Sequence, residues 1–114
     1  MRVLVCGGRD FKDQTLLNHT LYQLSRAEII TAIIEGNATG ADRMAGYWAR
    51  KNKIDDIKFP ADWNAHGRAA GPIRNAKMLK EGKPDLVLAF PGGRGTADMV
   101  RQARAAGVKV VEVR

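Results

Sequence analysis

Three glycine-rich stretches are the parts of this sequence best suited to chemistry, because they expose backbone N–H groups. They are CGGRDF at 6–11, EGNATGAD at 35–42 and FPGGRGT at 90–96. Each follows a short apolar run and precedes a helix-like pattern, where free N–H groups and the helix dipole favour an anion. One glycine suffices for a turn, so the surplus predicts close approach of a phosphate to the backbone. The alternative, for any single stretch, is a turn without a ligand.

Candidate ligand-binding residues come from all three stretches. They are Gly7, Gly8 and Arg9 in the first, Gly36, Gly40 and Asp42 in the second, and Gly92, Gly93, Arg94, Gly95 and Thr96 in the third. Arginine offers a planar fork of donors for phosphate oxygens, or else is a solvated surface charge. A carboxylate near a helix start either accepts hydrogen bonds from ribose hydroxyls or only caps the helix. No stretch matches the Walker pattern or a strict G-x-G-x-x-G.

A few other side chains near these stretches are weaker candidates. Phe11 and Trp63 could stack on a base, although aromatic residues beside loops more often pack the loop down. Cys6 is interpreted as a small buried residue rather than a nucleophile, because no histidine is placed beside it. A single cysteine and two isolated histidines favour neither a disulfide nor a metal site, so we expect no metal and no cofactor.

Alternating strands and helices must position these residues. Apolar runs predict strands at 2–7, 29–36, 56–62, 85–90 and 108–113, and helical spacing predicts helices at 13–24, 40–52, 71–82 and 96–107. This α/β alternation predicts a Rossmann-like, doubly wound parallel sheet in the order 3-2-1-4-5, with helices on both faces. All strand-to-helix loops then lie at one edge, and the loops after strands 1 and 4 flank the switch point of the sheet.

Composition limits the class of protein and of partner. The 114 residues suffice for one domain, 1–114, and 45% hydrophobic with 27% charged residues is typical of a globular protein. No apolar run approaches the roughly 20 residues of a membrane span, so we expect a cytoplasmic protein with no membrane partner. The net charge of +7 favours an anionic partner, either a phosphorylated small molecule or nucleic acid. An exposed Tyr47 or Trp48 would support a homodimer.

The four stretches GGRDF, GNATGAD, ADWNAHGRAAGPIRNAKM and PDLVLAFPGGRGTADMV together resemble the YspA-like family of the SLOG superfamily. That superfamily also includes the Lonely Guy phosphoribohydrolases and DNA-processing protein A. The resemblance spans nearly the whole chain, and it implies a Rossmann-like domain that binds nucleotides or nucleotide-derived ligands. Many YspA-like members have no established reaction.

The Lonely Guy resemblance matches a phosphate loop but lacks an acid. Residues 91–96 match the pattern P-G-G-x-G-T-x-x-E up to the threonine, and Arg74 with Met78 matches an R-x-x-x-M element. The glutamate position holds Met99, and the adjacent Asp98 is turned away by about 100° on a helix. If the chain is an enzyme, the resemblance implies a nucleotide N-glycosidase with Arg74 and Asp98 as its catalytic residues. Thr96 also has a structural alternative as a helix N-cap.

Three functional hypotheses follow. The first is a nucleotide-binding module that acts as a sensor. The second is an N-glycoside hydrolase acting on nucleoside 5′-monophosphates, with Asp98 or Asp42 as the carboxylate. The third is a binder of single-stranded nucleic acid, which the net charge favours but the absence of interleaved aromatic and basic residues does not.

Overall fold

The structure, a computed structural model, describes all 114 residues as five strands and five α-helices, which alternate along the chain except that two helices lie between the third and fourth strands. The strands are β1 (Arg2–Cys6), β2 (Ala32–Glu35), β3 (Asp55–Lys58), β4 (Leu86–Ala89) and β5 (Lys109–Glu112). The helices are α1 (Gln14–Ala27), α2 (Ala41–Lys51), α3 (Trp63–His66), α4 (Ala70–Gly82) and α5 (Arg94–Ala105), and a 3₁₀ turn at Gly67–Ala69 joins α3 to α4.

All five strands are parallel, in the order β3-β2-β1-β4-β5. In the central strand β1, Val3 is in register with Ile33 of β2 on one side and with Leu86 of β4 on the other. β2 and β3 lie on one side of β1, and β4 and β5 lie on the other, so the switch point of the sheet is between β1 and β4. The predicted fold and strand order are confirmed.

Helices cover both faces of the sheet, and each face has its own apolar core. Val3 and Val5 of β1 point to the core under α1 and α2, which also contains Leu17 and Trp48. The alternate residue Leu4 points to the opposite core, with Met78 of α4 and Met99 of α5. Side chains of a strand alternate between faces, so a strand that is covered on both sides must be apolar throughout. This explains the uninterrupted apolar sequence of β1.

The described structure differs from the predicted elements at several boundaries, and the largest difference is at β3, which ends at Lys58 rather than at residue 62. β2 begins at Ala32 rather than at residue 29, and α5 begins at Arg94 rather than at residue 96. The segment 63–69 forms a short helix and a 3₁₀ turn that the sequence did not predict. Every residue of that segment is exposed, so it carries no apolar periodicity from which a helix could be inferred.

Of the two α2 aromatic residues that would support a homodimer if exposed, Trp48 is buried. Its side chain is only 7% exposed and packs in the core between α2 and the sheet, whereas Tyr47, one position earlier on the helix, is 55% exposed. A step of 100° along the helix separates the two rings. Tyr47 is thus the one aromatic residue of α2 that remains for a homodimer contact, and the dimer itself stays a prediction. None of the helices is long and apolar enough to cross a membrane.

Candidate functional site

A cavity of about 750 Å³ lies at the carboxyl ends of the central strands. We call it the main cavity. Its walls come from the loop after β1, the start of α2, Trp63, the inner side of α4 and residues 91–96 after β4. Its volume falls within the range of small-molecule sites, which also prefer the switch point of an open parallel sheet.

The loops after β1, β2 and β4 contact one another through their backbones. The Gly8 N–H donates to the carbonyl of Pro91 at 2.9 Å, which joins the loops after β1 and β4. The Gly8 carbonyl accepts from the N–H of Ala41 at 3.3 Å, which joins the loop after β1 to the start of α2. The tips of β1 and β4 are therefore adjacent, as the predicted phosphate site requires.

The segment Gly92–Thr96, here called the glycine loop, presents a run of unpaired backbone donors. None of its five N–H groups donates to a protein acceptor, and the first such bond of the helix is from Ala97 to the Gly93 carbonyl at 3.0 Å. Gly93 is the N-cap of α5 and has no side chain to satisfy these groups. The hypothesis that Thr96 is the N-cap is wrong, because Thr96 lies within the first turn.

The glycines of the site fall into two groups. In the first group, a Cβ would collide with a neighbouring group at four glycines and would pack tightly, at 3.1 Å, at Gly8; the four are Gly7, Gly36, Gly40 and Gly92. A Cβ on Gly7 would lie 2.6 Å from the Cβ of Ala41, and one on Gly36 would lie 2.8 Å from Oδ2 of Asp42. A Cβ on Gly93 or Gly95 would meet nothing within 4 Å. The first group lets the loops pack together, and the second leaves open space beside the free amides.

Arg74 and Asp42 both line the main cavity. Arg74 reaches from α4 and donates through Nη1 to the Gly36 carbonyl at 2.9 Å and through Nε to Oδ1 of Asn75 at 3.0 Å. Asp42, in the first turn of α2, is buried and accepts from the Ala38 N–H at 3.3 Å. Burial raises the pKa of Asp42 to about 6, against the lowering effect of that hydrogen bond and of Arg74. The two residues therefore supply the main cavity with one cation, from α4, and one titratable carboxyl, from α2.

Asp98 and Met99 lie outside the main cavity. Oδ2 of Asp98 accepts from the Asn75 side chain at 3.0 Å and from Gln102 at 2.8 Å, and Oδ1 accepts from Arg101 at 2.7 Å. Met99 is buried in the core beneath α5. Asp98 therefore fastens α5 to α4, and the structure does not bring it to the cavity as the catalytic hypothesis required.

The remaining candidates divide between the cavity and its surroundings. Cys6 lines the main cavity, but burial raises the pKa of its thiol to about 12, so it stays protonated at neutral pH. Phe11 also lines the cavity and packs on Phe90 with ring centroids 5.3 Å apart, which leaves Trp63 as its exposed aromatic residue. Arg68, an arginine that the sequence places close to these loops, lies on the exposed 3₁₀ turn and does not line this cavity.

Two features escaped sequence analysis. Asn75 lines the main cavity and donates to the Gly95 carbonyl at 3.1 Å, so it ties α4 to the glycine loop. Its position next to Arg74 was the available signal. Glu35, at the end of β2, is buried with Lys58 at 2.6 Å and accepts from the Asn37 N–H. Glu35 thereby fixes the start of the loop after β2 through the Asn37 N–H. No group of three or more His, Cys, Asp or Glu side chains is arranged to hold a metal ion.

Known proteins were compared with the chain by sequence and by structure. Residues 1–66 match the sequence profile described as the YspA, cpYpsA-related SLOG family. The chain is 37% identical to the Gene 61 protein of Mycobacterium phage D29 over 118 aligned positions, which cover 96% of this chain and 94% of that protein.

Two solved structures share the fold at low sequence identity. The DNA processing protein A (DprA) from Streptococcus pneumoniae aligns with a TM-score of 0.55 and 17% identity over 96% of this chain and 58% of that one. Glycinamide ribonucleotide transformylase 1 from Symbiobacterium toebii aligns with a TM-score of 0.52 and 19% identity over 95% of this chain and 61% of that one. The chain thus spans about three fifths of each of these two proteins. The profile match and the phage relative together show that the chain belongs to the YspA, cpYpsA-related SLOG family.

Proposed function

We propose that residues 1–114 form a domain that binds a nucleotide or a nucleotide-derived phosphorylated ligand in the main cavity and acts as a sensor or ligand-presenting module. The observation that carries this proposal is the run of five backbone N–H groups in the glycine loop without a protein acceptor. Such groups at the start of a twelve-residue helix, beside a cavity, form a preorganised site for a phosphate.

The surrounding residues fit the rest of such a ligand. The phosphate would lie on the glycine loop, with the guanidinium groups of Arg94 and Arg74 available on the cavity wall. Asp42 would accept hydrogen bonds from ribose hydroxyls, and Gly7 to Arg9 would form the opposite wall. Both structural neighbours have names that refer to DNA or to a ribonucleotide, which agrees with a nucleotide ligand but, at this identity, supports it only through the shared fold.

A carboxylate placed at the N-cap of α5 tests the proposal. Gly93→Asp puts an acceptor where a ligand phosphate would bind, and a Cβ there meets no other atom. Aspartate is a better N-cap than glycine, so the variant should unfold at an equal or slightly higher temperature than the wild type. It should also lose the rise in melting temperature that AMP or ADP-ribose produces in the wild type. The measurement is a thermal-shift titration of both proteins.

Asn18→Asp is the matched control, because it adds the same charge on an exposed site of α1. It should retain the full ligand-induced shift. The absence of any shift across a broad nucleotide panel in the wild type would overturn the proposal. A shift of equal size in Gly93→Asp would show that ligand binds elsewhere.

An N-glycoside hydrolase is the second candidate, and Asp42 is the observation that favours it. It is the buried carboxyl of the main cavity, and a pKa of about 6 suits a group that exchanges protons near neutral pH. Chromatography of nucleoside monophosphates incubated with the protein would detect release of the base. Release that is lost in Asp42→Asn would support the hydrolase, and no release from any monophosphate would exclude it.

A further inference from the structure

A second cavity, of about 320 Å³, adjoins the main cavity over the loop after β2. We call it the arginine annex, because Arg9, Arg43 and Arg74 all line it and no aspartate or glutamate does. The annex shares Arg9, Ala38, Trp63 and Arg74 with the main cavity, so the two spaces are contiguous. The main cavity differs in charge, since three aspartates line it besides its basic residues.

The three arginines of the annex form no ion pair within the protein. Every salt bridge of the structure involves other basic residues, namely Arg50, Lys58, Arg101, Arg104 and Arg114. All three arginines line one small cavity and carry like charges, and Arg9 contributes to lowering the pKa of Arg74 after the larger effect of burial, while Asp42 of the main cavity opposes this lowering. An anion in the annex would offset these like charges.

The arginine side chains of the annex have N–H donors without a protein acceptor. Arg9 lies over the ring of Trp63, with Cζ 5.2 Å from the ring centroid, and its guanidinium donates no hydrogen bond to a protein group. Arg74 is fixed through Nε and Nη1, and its Nη2 donates to no protein group. Arg43 is exposed on the first turn of α2 and makes no side-chain hydrogen bond. The annex therefore presents guanidinium donors without a protein acceptor on Arg9, on Arg43 and at Nη2 of Arg74.

We infer that the annex is a second anion subsite and that the ligand carries two phosphate groups, one on the glycine loop and one between Arg9, Arg43 and Arg74. This inference rests on the proposed function, because it extends the same site. Two phosphates in one ligand occur either as a diphosphate or as two separate esters on one nucleoside. Both share the chemistry that the two subsites recognise, which is a pair of negatively charged phosphate groups held in two adjoining cavities.

The test compares ligands with one and two phosphates on the full chain by calorimetry. The probes are AMP, ADP, ADP-ribose and adenosine 3′,5′-bisphosphate. We expect at least one two-phosphate probe to bind more tightly than AMP. Arg43 lines the annex and not the main cavity, so Arg43→Gln should reduce that preference, measured as the ratio of the two Kd values, by about tenfold.

Arg26→Gln is the matched control, since Arg26 is an exposed arginine of α1 outside both cavities. It removes the same charge and should leave the preference unchanged. The inference is overturned if AMP binds as tightly as every two-phosphate probe, or if Arg43→Gln and Arg26→Gln have equal effects; in both cases AMP binding would leave the glycine-loop site standing. If no probe binds at all, the proposed function fails and the annex with it. Preference for the bisphosphate over ADP and ADP-ribose would identify the two-ester class, and the reverse would identify the diphosphate class.

Discussion

The loops after β1 and β2 and the loop after β4 use glycine for different physical reasons. Gly8 and Gly40 stand where the first two loops touch, and a side chain on Gly40 would overlap the Gly8 carbonyl. Gly93 and Gly95 face open space in the third loop. Glycine thus permits close packing in one region, the seam between the loops after β1 and β2, and leaves open space beside free backbone amides in the other. The comparison teaches that glycine counts alone overstate the number of ligand contacts.

The largest effect should come from a substitution in the seam. Gly40 has φ of +84°, a conformation that side chains rarely adopt, and its Cβ would overlap the backbone of the loop after β1. Gly40→Ala should lower the free energy of unfolding by about 3 kcal/mol, because both strain and overlap must be relieved. Urea denaturation followed by circular dichroism measures this. A loss below about 0.5 kcal/mol would contradict the idea that the seam requires glycine.

A smaller, pH-dependent effect on the free energy of unfolding should arise at Glu35, the buried last residue of β2. Burial and a hydrogen bond with Asp56 raise the pKa of Glu35 from 4.5 to about 7, despite the opposing hydrogen bonds from Lys58 and the Asn37 N–H. Arg50 of α2 also faces this cluster through its ion pair with Asp56. The folded state holds the proton more tightly than the unfolded chain. The stabilisation is therefore complete below about pH 4.5 and is lost as the pH rises through about 7.

Glu35→Gln should flatten that dependence, since glutamine is a neutral isostere of the protonated acid and still accepts from the Asn37 N–H. Between pH 6 and pH 8 the wild type should lose on the order of 1 kcal/mol more stability than the variant. Urea denaturation at the two pH values gives the difference. The pKa of Asp56 is lowered by its hydrogen bonds with Glu35 and Lys58, so its own contribution is lost only as the pH falls, outside this interval. Parallel slopes in the two proteins would contradict the assignment.

Much of this architecture could be predicted from sequence. The apolar runs and glycine punctuation predict five strands, the order of the sheet and the edge at which the loops meet, because burial on both faces leaves strands without polar alternation. That strand order alone also predicts that the loops containing Gly8 and Gly92 lie next to each other.

Other features could not be predicted, because they depend on contacts distant in sequence. Periodicity alone did not show that Trp48 turns inward and Tyr47 outward. A glycine that permits close packing between loops and a glycine that leaves space beside free amides cannot be distinguished in a sequence, because both simply follow the end of a strand. Asp98 had the right charge for catalysis, and only the packing of α5 on α4 shows that Asn75 and Gln102 occupy its oxygens.

The smallest effect separates packing from ligand binding most clearly, because it should have opposite signs in the two measurements. Gly95 lies in the first turn of α5, lines the main cavity and has open space around its Cβ position. Alanine loses less backbone entropy than glycine in a helix, so Gly95→Ala should raise the free energy of unfolding of the free protein by about 0.5 kcal/mol. The added methyl group would also occupy the space that a phosphate on the neighbouring amides needs, so AMP affinity should fall. If Gly95 were needed for packing between loops, Gly95→Ala would instead lower the free energy of unfolding. If Gly95 contacted no ligand, the variant would be more stable and its affinity for AMP would be unchanged. Denaturation and calorimetry on this one variant therefore decide which of the two reasons for glycine applies at the start of α5.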